Sequence, residues 1–474
     1  MPYKKIKQRT RKTVRLNSFM RGIDNLKDDL QTSVDSAKEC FNFDTSSGAL
    51  TPLRGFSNIE VKPFTGFWAI FQNSGYSIID GKKFYSMVMV DTSGKLMGCD
   101  YNDFGIMGEV YESPDEGFRF TSVPQMVEYK NEGADAMLFS SPTDGLVVWN
   151  GGTDFPQKIE NAPLITSMAL HGERLFVTVA DRTDKVWFSQ VFDPTKWEVS
   201  LSGAGYIGFS DERGECEKVI TYGGYVYVFR SYGISRIKAY GDQSEFEVDH
   251  VFTSGSKILT STVTLCSNRI VFATEDGLFS FNGSSVVKIL PALTPSLEFS
   301  NNSASAFYKG KYYISCVLNG RKYVGCENGK FVNNCMLVYD LYSDAYVLYR
   351  GIDVRYIAPL TGVGKVYLVV GDSRGLCAMS ETRLFGGELL TRKWKSPASD
   401  FGIAEKKTLK EILIYTDYDI TLRVEGDSET KEIEIKGKLG RSRVPVNISS
   451  YTFSIEFISN DYDCRIASPT IVFY

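Results

Sequence analysis

The chain has 474 residues, 43% of them hydrophobic, and a formal net charge of −4. That length exceeds one ordinary core, so two or three domains are expected, while no run approaches the ~18 apolar residues needed to span a bilayer. Nine Cys are scattered without a CxxC pair, which excludes a disulfide framework and suggests small buried thiols folded in a reducing cytoplasm.

The first segment is a basic arm, residues 1–16. Lys4, Lys5, Lys7, Arg9, Arg11, Lys12 and Arg15 supply seven positive charges with no acidic residue among them, and without them the formal charge of −4 becomes −11. No apolar stretch follows the charges, so the segment does not read as a secretory leader. Three readings compete for it: a solvated tail, a latch on an acidic patch of a neighbouring subunit, and contact with nucleic-acid phosphates. The last lacks interleaved aromatic residues and a DNA-reading helix.

Residues 17–60 form a lead-in segment unlike the rest. It opens on a Gly turn, passes through a polar, helix-compatible run from Asp24 to Cys40, and ends in NFDTSSGALTPLRGF, two short strands around a Ser-Ser-Gly turn. It is expected to lend the strand that closes the ring that follows.

Over residues 61–388 a phrase recurs: a Gly-led or polar turn, an aromatic and β-branched strand, then a second turn and strand. It reads HGERLFVTVA from His171, GGYVYVFRSY from Gly223, CSNRIVFATEDGLFSFNG from Cys266, YKGKYYISCV from Tyr308 and GVGKVYLVVGDSRGLCAM from Gly362, with fainter copies from Gly81 and Asn131. Anchors at Gly81, Gly133, Gly172, Gly224, Ser267, Gly310 and Gly364 are separated by 52, 39, 52, 43, 43 and 54 residues. Several short strands per copy at a period of about 40–50 residues indicate an all-β chain built on a β-propeller, of about seven blades. The abundant Tyr and Phe are read as packing between blades, because aromatic residues favour strands. The long last step contains a polar insertion, RKYVGCENGKFVNN, whose Arg321, Lys322, Tyr323, Lys330 and Phe331 are candidate partner contacts.

Residues 389–474 change character again. LKEILIY, ITLRVEG, KEIEIKG, YTFSIEFIS and SPTIVFY alternate at sandwich-like spacing, so a C-terminal antiparallel β-sandwich is expected, with the last strand paired into a sheet.

Chemistry is sparse in the sequence. Two His, His171 and His250, exclude a multi-histidine metal site within the chain, and neither a GxSxG elbow nor a phosphate loop occurs. SPTDGLVVW from Ser141 approaches the turn box of sialidase-type propellers, but such boxes are blade turns. Asp461 and Asp463 read as a solvated turn before a cation site, and the carboxylates of FEVDH alternate as a strand with a polar face. No catalytic residue, cofactor or metal is expected, and the chain is read as a non-enzyme.

The phrases MRGID through NFDTSSGALTPLRGF, VWFSQVFDPTKW from Val186 to Trp197, and WKSPASDFGIAEKKTLKEI with the closing YTFSIEFISNDYDCRIASPTIVFY occur in a fixed order. In that order the chain resembles the propeller-containing structural proteins of tailed bacteriophages, of the tail nozzle or head-closure (DNA-stabilisation) type, from about Met20 to Tyr474. The pattern rests on Gly22, Asn42, Gly48, Arg54, Gly55, Trp187, Ser189, Asp193, Pro194, Trp197, Trp394, Ser396, Pro397 and Gly402, all read as structural. The resemblance implies a virion protein of the tail or neck, assembled in the host cytoplasm as a homo-oligomeric ring with portal, adaptor or other tail partners. DNA would pass through its lumen without sequence-specific binding, which an acidic body favours. The alternative is a receptor- or glycan-binding propeller, with aromatic platforms expected around Tyr323 and Phe331. A WD-type scaffold ranks third, since the recurrent Trp-Asp ending is missing.

Overall fold

The structure, a computed structural model, describes residues 10–59, 67–76, 83–101, 107–131, 134–200, 203–318, 326–327, 330–331, 333–362, 365–372 and 375–474. The recurring phrase folds as a hairpin for a local reason. Its turns place successive residues at positive φ: Gly172 at 53° and Glu173 at 61°, Gly223 at 57° and Gly224 at 81°, Lys309 at 45° and Gly310 at 78°. Such pairs make the turn whose twist matches two antiparallel strands.

Six four-stranded antiparallel sheets and one of five strands, in which Leu297–Glu298 joins blade 6, make a seven-bladed β-propeller. Blades 1 to 6 occupy residues 67–112, 125–158, 165–208, 216–253, 258–289 and 305–350. Blade 7 has three strands within 356–379 and takes its outermost strand, Phe56–Asn58, from the lead-in segment. Met379, Ala378 and Cys377 pair there with Phe56, Ser57 and Asn58. The first strand of every blade touches the first strand of the next all the way round, blade 7 back to blade 1 included. The ring is thus closed by a strand from before its first blade, which leaves no gap between the two chain ends of the propeller.

The apolar residues segregate between blades, one group at each junction. Phe176, Phe188, Val219 and Val228 fill the junction of blades 3 and 4; Phe229, Phe272 and Phe281 fill that of blades 4 and 5. The aromatic wealth of the sequence is therefore packing, as its strand context indicates. The junction of blades 5 and 6 is different: its core, with Leu278, Tyr312 and Leu337, runs without interruption into Phe19, Trp394, Leu422 and Phe457 of the next body.

That body is the C-terminal antiparallel β-sandwich. One sheet orders Lys12–Arg15, Ile466–Phe473, Lys407–Thr416 and Arg441–Ser450; the other orders Glu39–Phe41, Arg392–Lys395, Phe453–Ser459, Ile420–Gly426 and Thr430–Ile435. Two of these strands come from the N-terminal sixty residues. The boundary expected at residue 16 accordingly moves: Lys12 to Arg15 are not part of a free arm but an edge strand, paired with Phe473 to Thr470. The free edge of Ile466–Phe473 supplies the unpaired N–H and C=O groups that recruit it.

The helix-compatible run from Asp24 to Cys40 forms no α-helix. Ile23 bridges Ala37, a single 3₁₀ turn spans Asp29–Gln31, and the Lys38 ammonium donates to the carbonyls of Asp24 and Lys27 at 3.0 and 2.9 Å. The run lacks an apolar stripe at helical spacing, so tertiary bonds decide its path. Arg441–Ser450 is a strand that Pro445 hides in the sequence. It lies at a sheet edge, where a missing N–H costs no ladder bond.

Candidate functional site

The surface that collects the basic residues is the outer face of the first sandwich sheet. Register sets Arg15 against Thr470, Thr470 against Leu413, and Leu413 against Arg443, so the two arginines end one row across four strands. Glu411, almost wholly buried, receives Arg11 Nη2 at 3.5 Å on one oxygen and the Arg443 guanidinium on the other. Arg441 donates to Thr470 Oγ1 at 2.6 Å, with its guanidinium 5.7 Å from the centre of the Tyr415 ring. Arg11, Arg15, Arg441 and Arg443 thus gather at the outer face of this sheet around the single carboxylate of Glu411. The face suits an anionic or acidic partner.

Of the seven arm residues expected as contacts, the structure places Arg11 and Arg15 on this face; Lys12 pairs with Phe473, in the row that faces the core, and Lys4, Lys5, Lys7 and Arg9 lie outside the described residues. Arg441 and Arg443 were missed because RSRVPVNISS was not read as a strand. The alternation of Val444, Val446 and Ile448 with polar residues and Pro445 was the available signal.

The insertion leaves blade 6 between its second and third strands. Arg321, Lys322 and Tyr323 lie outside the described residues. Lys330 and Phe331 form a two-residue strand paired with Cys326 and Glu327. Exposed aromatics gather elsewhere. Phe155, Phe192, Tyr240 and Tyr342, at 60, 60, 52 and 82% exposure, each occupy the connection between the third and fourth strands of blades 2, 3, 4 and 6. In up-and-down blades these connections emerge on one face of the ring, opposite the face that carries the insertion. The exposed aromatic side chains among the described residues of the propeller thus include four on the face opposite the insertion, whereas Tyr323 lies outside the described residues.

The remaining polar features have structural occupations. Asp144 of the sialidase-like box accepts from Ser141 Oγ, and from the backbone and hydroxyl of Thr121 at 2.9 and 2.7 Å. Burial opposes its charge, yet these bonds hold its carboxyl below the usual range. The Asp461 to Asp463 turn is filled by the buried Arg392 guanidinium, which donates to the carbonyls of Asp461 and Tyr462. The FEVDH carboxylates Glu247 and Asp249 pair across strands with Lys238 and Arg236. His171 is not a free surface group: its ring lies 5.3 Å from that of Tyr240, and burial pulls its pKa down. Among the described residues no three His, Cys, Asp or Glu side chains gather as a metal site.

Three of the residues that carry the resemblance, Gly22, Asn42 and Arg54, lie on seams between the lead-in segment and blade 6. Asn42, at φ 60°, donates to the carbonyls of Arg350 and Thr391 at 3.1 and 2.7 Å and accepts from Arg350 N at 2.9 Å. Gly22 turns at φ 70° against the Tyr346 ring, and the Tyr349 hydroxyl donates to the Arg54 carbonyl at 2.8 Å. Ser396 Oγ accepts from Ile455 N at 2.9 Å.

No protein-family model matches the chain, and no curated protein matches it. Solved structures with a likeness include BBS1N in its complex with ARL6DN, at 10% identity and a TM-score of 0.43, covering 69% of this chain and 96% of that one. BamB from Moraxella catarrhalis aligns at 10% identity and a TM-score of 0.36, covering 77% of this chain and 95% of its own.

Proposed function

We propose that the chain is a non-enzymatic structural protein of a tailed-bacteriophage particle, a ring-forming component of the tail or head-to-tail junction through which DNA passes. The observation that carries this reading is mechanical. One N-terminal segment supplies strands to both sandwich sheets and the closing strand to blade 7, and the core of the blade 5 and 6 junction continues into the sandwich. Force on either body passes to the other through buried side chains, which suits a part that must hold its shape under load. The order of lead-in, propeller and sandwich, with the resemblance it carries, supports the particle class. The basic sandwich face offers a surface for an acidic neighbour. Mass measurement and gel filtration of the purified chain, alone and mixed with a portal protein, should show a defined closed oligomer. A monomer at every concentration in both settings would end this reading.

A second reading draws on Phe155, Phe192, Tyr240 and Tyr342. Aromatic side chains exposed on one propeller face are what a glycan- or receptor-binding propeller needs, since sugar C–H faces stack on such rings. Glycan-array binding that survives removal of the basic arm and is lost in Phe192→Ala with Tyr342→Ala supports this reading over the first.

A further inference from the structure

Two cysteines face each other inside blade 6. Cys316, near the end of Lys311–Leu318, and Cys335, the first residue of Cys335–Asp340, are directly paired in the strand register. Both are fully buried. Directly opposed residues of antiparallel strands have Cα atoms about 4.5–5.5 Å apart, within the range that a disulfide bridges. None of the other described cysteines, Cys40, Cys99, Cys216, Cys266, Cys326, Cys377 and Cys464, is paired in register with a second cysteine.

The pair sits at the neck of the insertion, and the neck is already closed without a covalent bond. Asn334 takes the part of a strand residue: its N–H donates to the Cys316 carbonyl at 3.2 Å, its Oδ1 accepts from Leu318 N at 2.8 Å, and its Nδ2 donates to the Leu318 carbonyl at 3.4 Å. Asn333 Nδ2 adds bonds to the carbonyls of Asn302 and Val354 at 3.0 and 3.2 Å. These contacts fix the two strands at the position of the sulfurs, so joining them asks for little movement.

We propose that Cys316 and Cys335 are an oxidisable dithiol pair whose disulfide closes the base of the insertion into a covalent loop. The oxidant is a low-molecular-weight disulfide. One protein thiolate attacks it, forming a mixed disulfide and releasing one small thiol; the second protein thiolate then attacks the modified sulfur and releases the other small thiol. Each protein sulfur loses one electron, the small disulfide gains two, and both protons leave on the released thiols. Burial pushes the Cys335 thiol well above its ordinary value, so the exchange waits on opening of the neck and quickens as pH rises. A reducing cytoplasm keeps the pair open and an oxidising exterior closes it. This inference stands apart from the assembly reading, because it concerns one blade of one chain.

The full chain, folded, is incubated with oxidised glutathione at alkaline pH, quenched with acid, denatured, alkylated and digested with trypsin without reduction. Cleavage after the basic residues puts Cys316, Cys326 and Cys335 on three separate peptides: YYISCVLNGR, YVGCENGK and FVNNCMLVYDLYSDAYVLYR. The expected product joins the first to the third, lighter by two hydrogens than their sum, and vanishes on reduction. Cys316→Ser and Cys335→Ser each abolish it, while the unmutated chain carries the test should either variant fail to fold. Recovery of both cysteines alkylated, of each carrying glutathione separately, or of Cys335 joined to Cys326 overturns the proposal.

Discussion

Phe19 meets the indole of Trp394 edge-on, with ring centroids 4.9 Å apart and planes at 80°. Both side chains are almost fully buried, and Trp394 stacks in turn on Phe457 at 5.8 Å. A residue from the lead-in segment is thus a core residue of the sandwich, packed on rings more than 370 positions along the chain. Phe19→Ala is expected to destabilise the protein by about 3–5 kcal/mol, and Phe19→Leu by less. Guanidinium unfolding followed by tryptophan fluorescence measures both. A loss under about 1 kcal/mol for the alanine variant means that the sandwich closes without the lead-in.

Asn42 joins three parts of the chain at once, and both its conformation and its amide are used. Alanine there leaves the backbone carbonyls of Arg350 and Thr391 and the N–H of Arg350 short of partners, at about 1–3 kcal/mol, and adds the steric penalty of positive φ. Glycine restores the conformation but not the bonds. The expected order of thermal stability is therefore Asn42, then Asn42→Gly, then Asn42→Ala. An Asn42→Gly variant as stable as the parent would show that the bonds count for nothing.

Gly55 precedes the strand that closes the ring and has no room for a side chain. A Cβ built there would stand 2.0 Å from the carbonyl oxygen of Leu384, and backbone cannot move aside cheaply. Gly55→Ala is expected to cost about 3 kcal/mol, the upper end for overpacking, and to loosen Phe56–Asn58 from blade 7. Removing residues 1–59 altogether bares the edge of Gly375–Met379, which should raise aggregation. Light scattering during a thermal ramp reads both effects.

The propeller was legible because each copy of the repeat carries its own instructions. Gly172, Gly224 and Gly310 set hairpin turns at the same place in blades 3, 4 and 6, and the strand composition does the rest. The pairing of Lys12–Arg15 with Ile466–Phe473 was not legible, because four residues of mixed polarity carry no periodic signal and their partner is some 455 positions away. Seams such as Asn42 with Arg350 were marked by residue types that resist substitution, an Asn or a Gly at positive φ, though not by the partner each would meet. The basic face shows the same division. Its arm charges stood out as a run, whereas Arg441 and Arg443 joined them only through the fold.

Lys218 makes stability depend on alkaline pH. Its ammonium donates to the carbonyls of Thr260 and Val263 at 3.1 and 2.8 Å, and loss of water around it lowers its pKa from 10.5 to about 8. The unfolded chain therefore binds the proton more tightly than the folded one between these values, and stability rises with pH across that window. Below about pH 8 the folded protein carries the full penalty of the charged form. Lys218→Met should remove this rise from urea midpoints measured between pH 8 and 10.5. A variant with the parent's slope would assign the dependence to other groups.

Truncation separates the two roles that the basic N-terminus combines. Residues 12–15 are a sheet strand, whereas Lys4, Lys5, Lys7 and Arg9 lie outside the described residues. Removing residues 1–9 keeps the Lys12–Arg15 strand and the Arg11 to Glu411 ion pair, so the thermal midpoint should move little. Removing residues 1–15 strips the strand and frees the edge of Ile466–Phe473, and it takes Arg11 from Glu411, which keeps Arg443. The midpoint should then fall. Partner binding is expected to respond in the opposite proportion. If the arm engages an acidic neighbour, the shorter deletion alone should weaken association, and should do so most at low salt, where charge pairs are least screened. Arg441→Glu with Arg443→Glu keeps the arm but reverses the face beside it. Loss of association in that variant, with an unchanged fold by circular dichroism, makes arm and sheet one surface; association that survives it confines the contact to the first nine residues.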